Sequence, residues 1–195
     1  MSTHQQRDGV VGTDVRYLVV PGWTGSGPDH WQTHLERSYR GFSRVEQADW
    51  DVVERDEWVA ALDRAVRGIT RPVVLVGHSC GSVTIAQWAA QADTAGVVAA
   101  LLVAPADVEA PTAPTATRGQ APLPSGRLPM RTHVVVADDD PYLDLARAHR
   151  LARSWGSTIE TMTGGGHLAT ADGYGPWPRA ATLLEQLTGI PLLPR

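Results

Sequence analysis

The chain has 195 residues, 43% of them hydrophobic and 19% charged, with a formal net charge of −4 and a single cysteine, Cys80. This length suits one compact domain, and this mix suits a chain with a sizeable core rather than a disordered one. Arg residues form no stripe of the kind that marks nucleic-acid binding, and one cysteine permits neither an intrachain disulfide nor a multi-cysteine metal site.

Residues 1–14 read as a polar tail without an apolar stretch long enough for a secretory signal. The most sustained apolar run, 97–105, is far too short to cross a bilayer. The expectation is a cytoplasmic protein, with 15–195 as its one domain. A strand is expected at 16–20 (RYLVV), followed by the glycine-rich loop PGWTGSG at 21–27 and a helix at 29–39. A weak strand candidate lies at 44–48. A helix at 56–67 follows, in which Trp58, Leu62, Ala65 and Val66 recur at i, i+4, i+7 and i+8 as one apolar stripe. Next come a strand at 73–77 (VVLVG), a helix at 82–92 and a strand at 97–104. The last third holds strands at 132–136 and 158–162, with helices at 143–154 and 178–187.

Four of the strand runs are almost continuously apolar, which suits strands buried on both faces of a parallel sheet. Strand alternating with helix implies right-handed crossovers and an α/β fold: a mostly parallel sheet of about six strands with helices on both faces. The segment 107–130 departs from this pattern. It is rich in Pro, Ala and Thr, too proline-dense for a helix or inner strand and too short for a cap domain. It reads as an excursion at the carboxyl edge of the sheet, either a lid or a solvated loop.

Gly77-His78-Ser79-Cys80-Gly81 matches Gly-x-Ser-x-Gly, with a buried-strand pattern entering it and a helical pattern leaving it. A serine at a sharp strand-to-helix turn needs neighbours no larger than glycine at 77 and 81. The turn would lift Ser79 Oγ clear of the sheet as a nucleophile and aim the Cys80 amide at an incoming carbonyl oxygen. Cys80 itself occupies a position whose backbone, not side chain, faces the substrate.

In this fold the acid and then the histidine follow the serine along the chain. Only His149 and His167 follow the acidic cluster 138–140. His149 lies within a helical pattern, whereas His167 follows the last strand in TGGGHLAT, where glycines free the loop to project an imidazole; His167 is the base candidate. The strand at 132–136 leads into Asp138, Asp139 and Asp140, and the residues alone leave the three open as the partner of His167. Asp140 is equally placed to cap the next helix.

The 21–27 loop can supply a second oxyanion amide, that of Trp23, since Gly22 allows the turn. A phosphate loop is excluded, because Pro28 and Asp29 replace the lysine and hydroxyl it needs. His30 and His34 share a helix face, but Trp31 stands where a zinc-protease glutamate belongs and no third ligand is evident; they read as surface or supporting histidines. No cofactor or metal is expected.

With these segments in place, the chain resembles the YdeN-like small serine hydrolases, the family of retinoblastoma-binding protein 9, over about 16–190. The marks are PGWTGSGPDHWQTHLE (21–36), ADWDVVERDEWVAAL (48–62), VGHSCGS (76–82), ADDDPYLDLARAHRLARSWGS (137–157) and GGGHLATADGYGPWPRA (165–181). The resemblance implies a minimal α/β-hydrolase without a cap domain, Ser79 as nucleophile, His167 as base and Asp140, just before Pro141, as its partner. It implies that Trp23, Trp31, Trp50, Trp58 and Trp177 pack the sheet edges and pocket walls, with plain core as the alternative for Trp50 and Trp177. Ser82 in place of a second glycine, the all-aspartate run and Val53 in place of a proline are its mild departures. The expected activity is hydrolysis of a small ester through an acyl-enzyme, with oxyanion amides from Trp23 and Cys80. The alternatives are a thioesterase, amidase or acyltransferase with the same triad, or a protein-binding module. The expected partner is a small-molecule ester or acyl substrate, not nucleic acid or membrane; nothing in the residues indicates a protein partner.

Overall fold

In the computed structural model, which describes residues 15–195, strand and helix alternate almost from end to end. The polar tail expected at 1–14 lies outside the described residues. The strands are β1 (Arg16–Val20), β2 (Phe42–Arg44), β3 (Val73–His78), β4 (Val97–Val103), β5 (Arg131–Ala137) and β6 (Thr158–Met162). They form one sheet in the order β2-β1-β3-β4-β5-β6, and every pairing is parallel. The helices are α1 (Trp31–Ser38), α2 (Arg55–Arg67), α3 (Cys80–Ala89), α4 (Leu145–Trp155) and α5 (Pro178–Thr188).

Alternation along each strand divides the core in two. Leu18, Val20, Leu75, Leu102, Val134 and Val136 point to the side covered by α2, α3 and α4. Tyr17, Val19, Val74, Val76, Leu101 and Val135 point to the side covered by α1 and α5. All six residues of β3 are buried, as the unbroken apolar run requires of a central strand covered on both faces. The architecture is a minimal α/β-hydrolase: one parallel sheet with helices on both faces. Among the described residues, no helix is long and apolar enough to cross a membrane.

Three expectations are corrected. The weak strand candidate at 44–48 is instead Phe42–Arg44. Gly41, at φ 81°, turns the chain into the sheet, and Phe42 stacks on Tyr17 of β1 with ring centroids 4.5 Å apart. One aromatic beside a glycine leaves little alternation to read. Second, α3 starts at Cys80 rather than near 82, because the turn at Ser79 occupies a single residue. Third, the proline-rich segment 107–130 holds a short 3-10 helix, Thr115–Gln120, in the proline-free stretch between Pro114 and Pro122. Such a turn needs only a few residues to close.

That segment is tied down along its length. Val53 N donates to Ala116 O at 2.9 Å, and Gln120 Nε2 donates to Cys80 O and Thr84 Oγ1, each at 2.8 Å. Gln87, from buried α3, donates to Gln120 O and Pro122 O. Val108, Leu123 and Leu128 join the core shared by α3 and α4.

Chain order reverses between β1 and β3, since β2 lies outside β1 and β3 returns on its other side. In an open α/β sheet this is where loops from neighbouring strands part and leave a crevice. Here the approach is extreme: a Cβ at Gly81 would lie 2.0 Å from Val20 O and 2.5 Å from Pro21 O. Gly81→Ala is therefore expected to cost about 3 kcal/mol or more, since only backbone could give way. Gly96→Ala, where a Cβ meets nothing within 4 Å, is expected to change stability by less than about 0.5 kcal/mol. Urea unfolding midpoints check the pair, and a Gly81→Ala protein as stable as wild type would contradict the packing argument.

Candidate active site

A parallel sheet puts all its carboxyl ends on one edge, and the loops leaving β1, β3, β5 and β6 meet there. They enclose a cavity of about 440 Å³ whose walls include Trp23, His30, Ser79, Cys80, Tyr142 and His167. Ala110, Ala113, Pro114 and Thr117, from the proline-rich segment, form a further wall.

Ser79 joins β3 to α3 with φ 54° and ψ −125°, a left-handed conformation that is strained for a residue bearing a Cβ. The turn is held by Ser79 N donating to Val103 O at 3.0 Å. A Cβ at Gly77 would lie 2.7 Å from Ser82 Cα, so both glycines flanking the turn are required by close approach. The loop after β1 lies directly over the serine: a Cβ at Gly22 would come within 2.7 Å of Ser79 Cβ and 3.3 Å of Ser79 Oγ.

The Cys80 amide is the first of α3, where backbone N–H groups have no partner within the helix. In the 22–25 turn, Thr24 N donates to Trp50 O at 2.8 Å and Gly25 N to Gly22 O at 3.0 Å. Among the described residues the Trp23 amide makes no backbone hydrogen bond, while its indole Nε1 anchors the loop on Asp51 O at 2.9 Å. Burial pushes the Cys80 thiol up to about 11, against a smaller opposing pull from the Trp23 amide, Ser79 and its own amide. The thiol therefore stays protonated at neutral pH, which makes it a poor nucleophile.

His167 Nδ1 lies 3.0 Å from both carboxylate oxygens of Asp140, whose side chain is fully buried. Asp140 Oδ1 also accepts from Tyr142 N at 2.8 Å. The other two aspartates hold the glycine loop: Asp138 Oδ1 accepts from Gly164 N at 2.8 Å and Asp139 Oδ1 from Gly166 N at 2.9 Å. Asp140 does not cap the following helix; Asp144 does, accepting from Arg147 N at 3.0 Å. Ser79 and His167 face the same cavity, and among the described residues no hydrogen bond is closed between them. Such bonds are often long in the free form of a hydrolase and tighten with substrate.

Some supporting groups were not read from the sequence. Asp172 Oδ2 accepts from His167 N at 3.0 Å and Ala169 N at 3.2 Å. Trp31 Nε1, from α1, donates to Leu168 O at 3.1 Å. His78 Nε2 donates to His167 O at 2.9 Å, so the residue before Ser79 grips the backbone of the histidine loop. An aspartate five residues after the histidine was the one local signal for Asp172; the other two contacts join residues 89 and 137 positions apart.

Of the two readings of His30, surface or supporting, its position fits the second. It is 5% exposed, its Nδ1 accepts from Gln32 N at 3.2 Å to cap α1, and its Nε2 has no partner among the described residues. Ring centroids run 4.8 Å from His30 to His78 and 5.0 Å from His78 to His167. Among the described residues no cluster of three or more His, Cys, Asp or Glu could hold a metal ion.

Burial, then the positive charges of Arg44, His167 and His34, lowers His30 from 6.5 to about 4. Burial, then the charges of His167 and His30, holds His78 well below the usual imidazole range. Below pH 6.5 the unfolded chain takes up protons that folded His30 refuses, so stability falls as pH drops from 6.5 to 4, by up to about 3 kcal/mol for this group. His30→Asn keeps a capping acceptor and removes the titration. It is expected to flatten the fall in urea midpoint between pH 6.5 and pH 4 relative to wild type; parallel curves would exclude His30 as the source.

The serine hydrolase family profile matches residues 17–186. No curated protein matches the sequence. Among solved structures, a protein described as a YdeN-like hydrolase, from Pectobacterium atrosepticum, is 28% identical over 92% of this chain and 93% of that one, with a TM-score of 0.83. The ydeN gene product of B. subtilis is 17% identical over 90% of this chain and 99% of that one, with a TM-score of 0.75. The type II thioesterase BorB of the borrelidin biosynthetic cluster has the same fold, 20% identical over 94% of both chains, with a TM-score of 0.65. A family match covering most of the chain and a YdeN-like neighbour aligned along nearly its whole length lead to one conclusion: the chain belongs to the YdeN-like family of small serine hydrolases.

Proposed function

We propose that this hydrolase cleaves small carboxylic esters through an acyl-enzyme on Ser79, with His167 as general base and Asp140 as the group that orients it. The observation that carries the proposal is the contact of His167 Nδ1 with the buried Asp140 carboxylate at 3.0 Å, on the cavity that Ser79 also faces. With Nδ1–H donating to Asp140, the lone pair of Nε2 is free to take the Ser79 proton. The serine oxygen adds to the ester carbonyl, and the negative charge that develops on the carbonyl oxygen is met by the Cys80 and Trp23 amides. The imidazolium, stabilised by Asp140, then protonates the departing alcohol. Water, deprotonated by the same imidazole, releases the acid and restores Ser79.

The choice of substrate rests on the walls. Trp23, Ala106, Ala110, Ala113 and Pro114 make a largely apolar surround, suited to an acyl group of small to moderate size.

A fluorophosphonate probe is expected to add once to the wild type, detected by intact mass, and not at all to Ser79→Ala. That variant should keep wild-type stability and lose ester turnover at least about 1,000-fold. Asp140→Asn should lower kcat by roughly 100- to 10,000-fold, while Asp138→Asn, whose carboxylate accepts from the Gly164 amide and does not meet His167, should cost far less. Labelling of Ser79→Ala, or equal losses in the two aspartate variants, would remove the triad assignment. Matched ester, thioester and amide substrates of one acyl group then rank the scissile bonds.

A further inference from the structure

The charge around the cavity bears on which acyl groups it admits. All 17 Lys and Arg positions of this protein are arginine, and among the described residues no arginine lines the cavity. The arginines near it are engaged elsewhere. Arg147 pairs with Asp107 and Glu109, Arg118 donates to Ala113 O and Pro111 O, and Arg44 binds Glu36 and Ser26 O.

Two carboxylates do line it, Asp107 and Asp172. Asp107 is balanced by Arg147 at 3.4 Å. Asp172 makes no ion pair among the described residues; its partners are the neutral amides of His167 and Ala169. His30 and His78 bring no positive charge at neutral pH, because burial holds both below the range in which an imidazole charges. His167 already faces a carboxylate of its own, Asp140. A second anion entering this space would meet the unpaired charge of Asp172 and no cation; because Asp172 is an exposed side chain, the repulsion is strongest at low ionic strength.

We propose that the cavity selects substrates by charge, accepting uncharged acyl chains and rejecting those that end in a carboxylate, with Asp172 as a specificity-determining residue. The inference rests on the esterase reading above. It assigns Asp172 two tasks on one side chain: one oxygen fixes the backbone of the histidine loop, and the net charge repels anionic substrates.

The test compares kcat/KM for p-nitrophenyl hexanoate and for the mono-p-nitrophenyl ester of adipate, an ester of equal chain length ending in a carboxylate, each corrected for spontaneous hydrolysis. The hexanoate is expected to be favoured by about 3- to 10-fold at low ionic strength. Asp172→Asn keeps an oxygen for the two amides and removes the charge; it should narrow the ratio several-fold, as should added salt for the wild type. Equal kcat/KM for the two esters, or an unchanged ratio in Asp172→Asn, overturns the inference while leaving the esterase reading intact. A wild type that turns over neither ester overturns the esterase reading and this inference with it.

Discussion

Where β1 and β3 end side by side, the backbone beyond Val20 and the first turn of α3 approach so closely that position 81 has room for a hydrogen and nothing more. Much of the site depends on that approach. It brings the loop after β1 over Ser79, so that a Cβ at Gly22 would strike the serine side chain and the Trp23 and Cys80 amides both reach the Cys80 thiol. It also forces the chain to reverse within one residue, which is why Ser79 carries a conformation that few side-chain-bearing residues adopt. The strain is supported by a fully buried strand before it and a fully buried helix after it.

The histidine loop is held by a different principle. Three glycines in succession have positive φ, and such a run has little conformational preference of its own. Its order comes from outside: three consecutive aspartates bind residues 164, 166 and 167 in turn, Asp172 binds the loop from its far end, and Trp31 and His78 bind two of its carbonyls. The last of these contacts matters most for the geometry, because it links the strand that carries Ser79 to the loop that carries His167. The turn at Ser79 and the loop of His167 are thus tied by one hydrogen bond as well as by the sheet.

Elements whose signal is local were legible in the sequence. The strands at 16–20 and 158–162 agree to the residue, and the helix read at 178–187 extends by one residue. The buried-strand pattern before Gly77 and the helical pattern after Gly81 located the elbow, because the turn has to be written in adjacent residues. The reading that paired His167 with Asp140 took the strand before each residue from the pattern and the choice among three aspartates from resemblance. Side-chain periodicity carries no information about which of three adjacent carboxylates turns inward. Groups whose role exists only across the fold were not legible: the sequence left His30 open between surface and supporting histidine, and only its packing against His78 decides for the second, while Phe42 is a strand residue because it stacks on Tyr17 of β1.

The state of Cys80 has a chemical corollary. Peroxide and electrophiles attack thiolates, and here the one cysteine sits beside Ser79 but is buried and held in the protonated form. In the mechanism proposed above the nucleophile is a hydroxyl, and the neighbouring thiol, buried and protonated, takes no part in it. With Ser79 as the proposed nucleophile no step of turnover uses a thiol, unlike in a cysteine hydrolase built on the same turn.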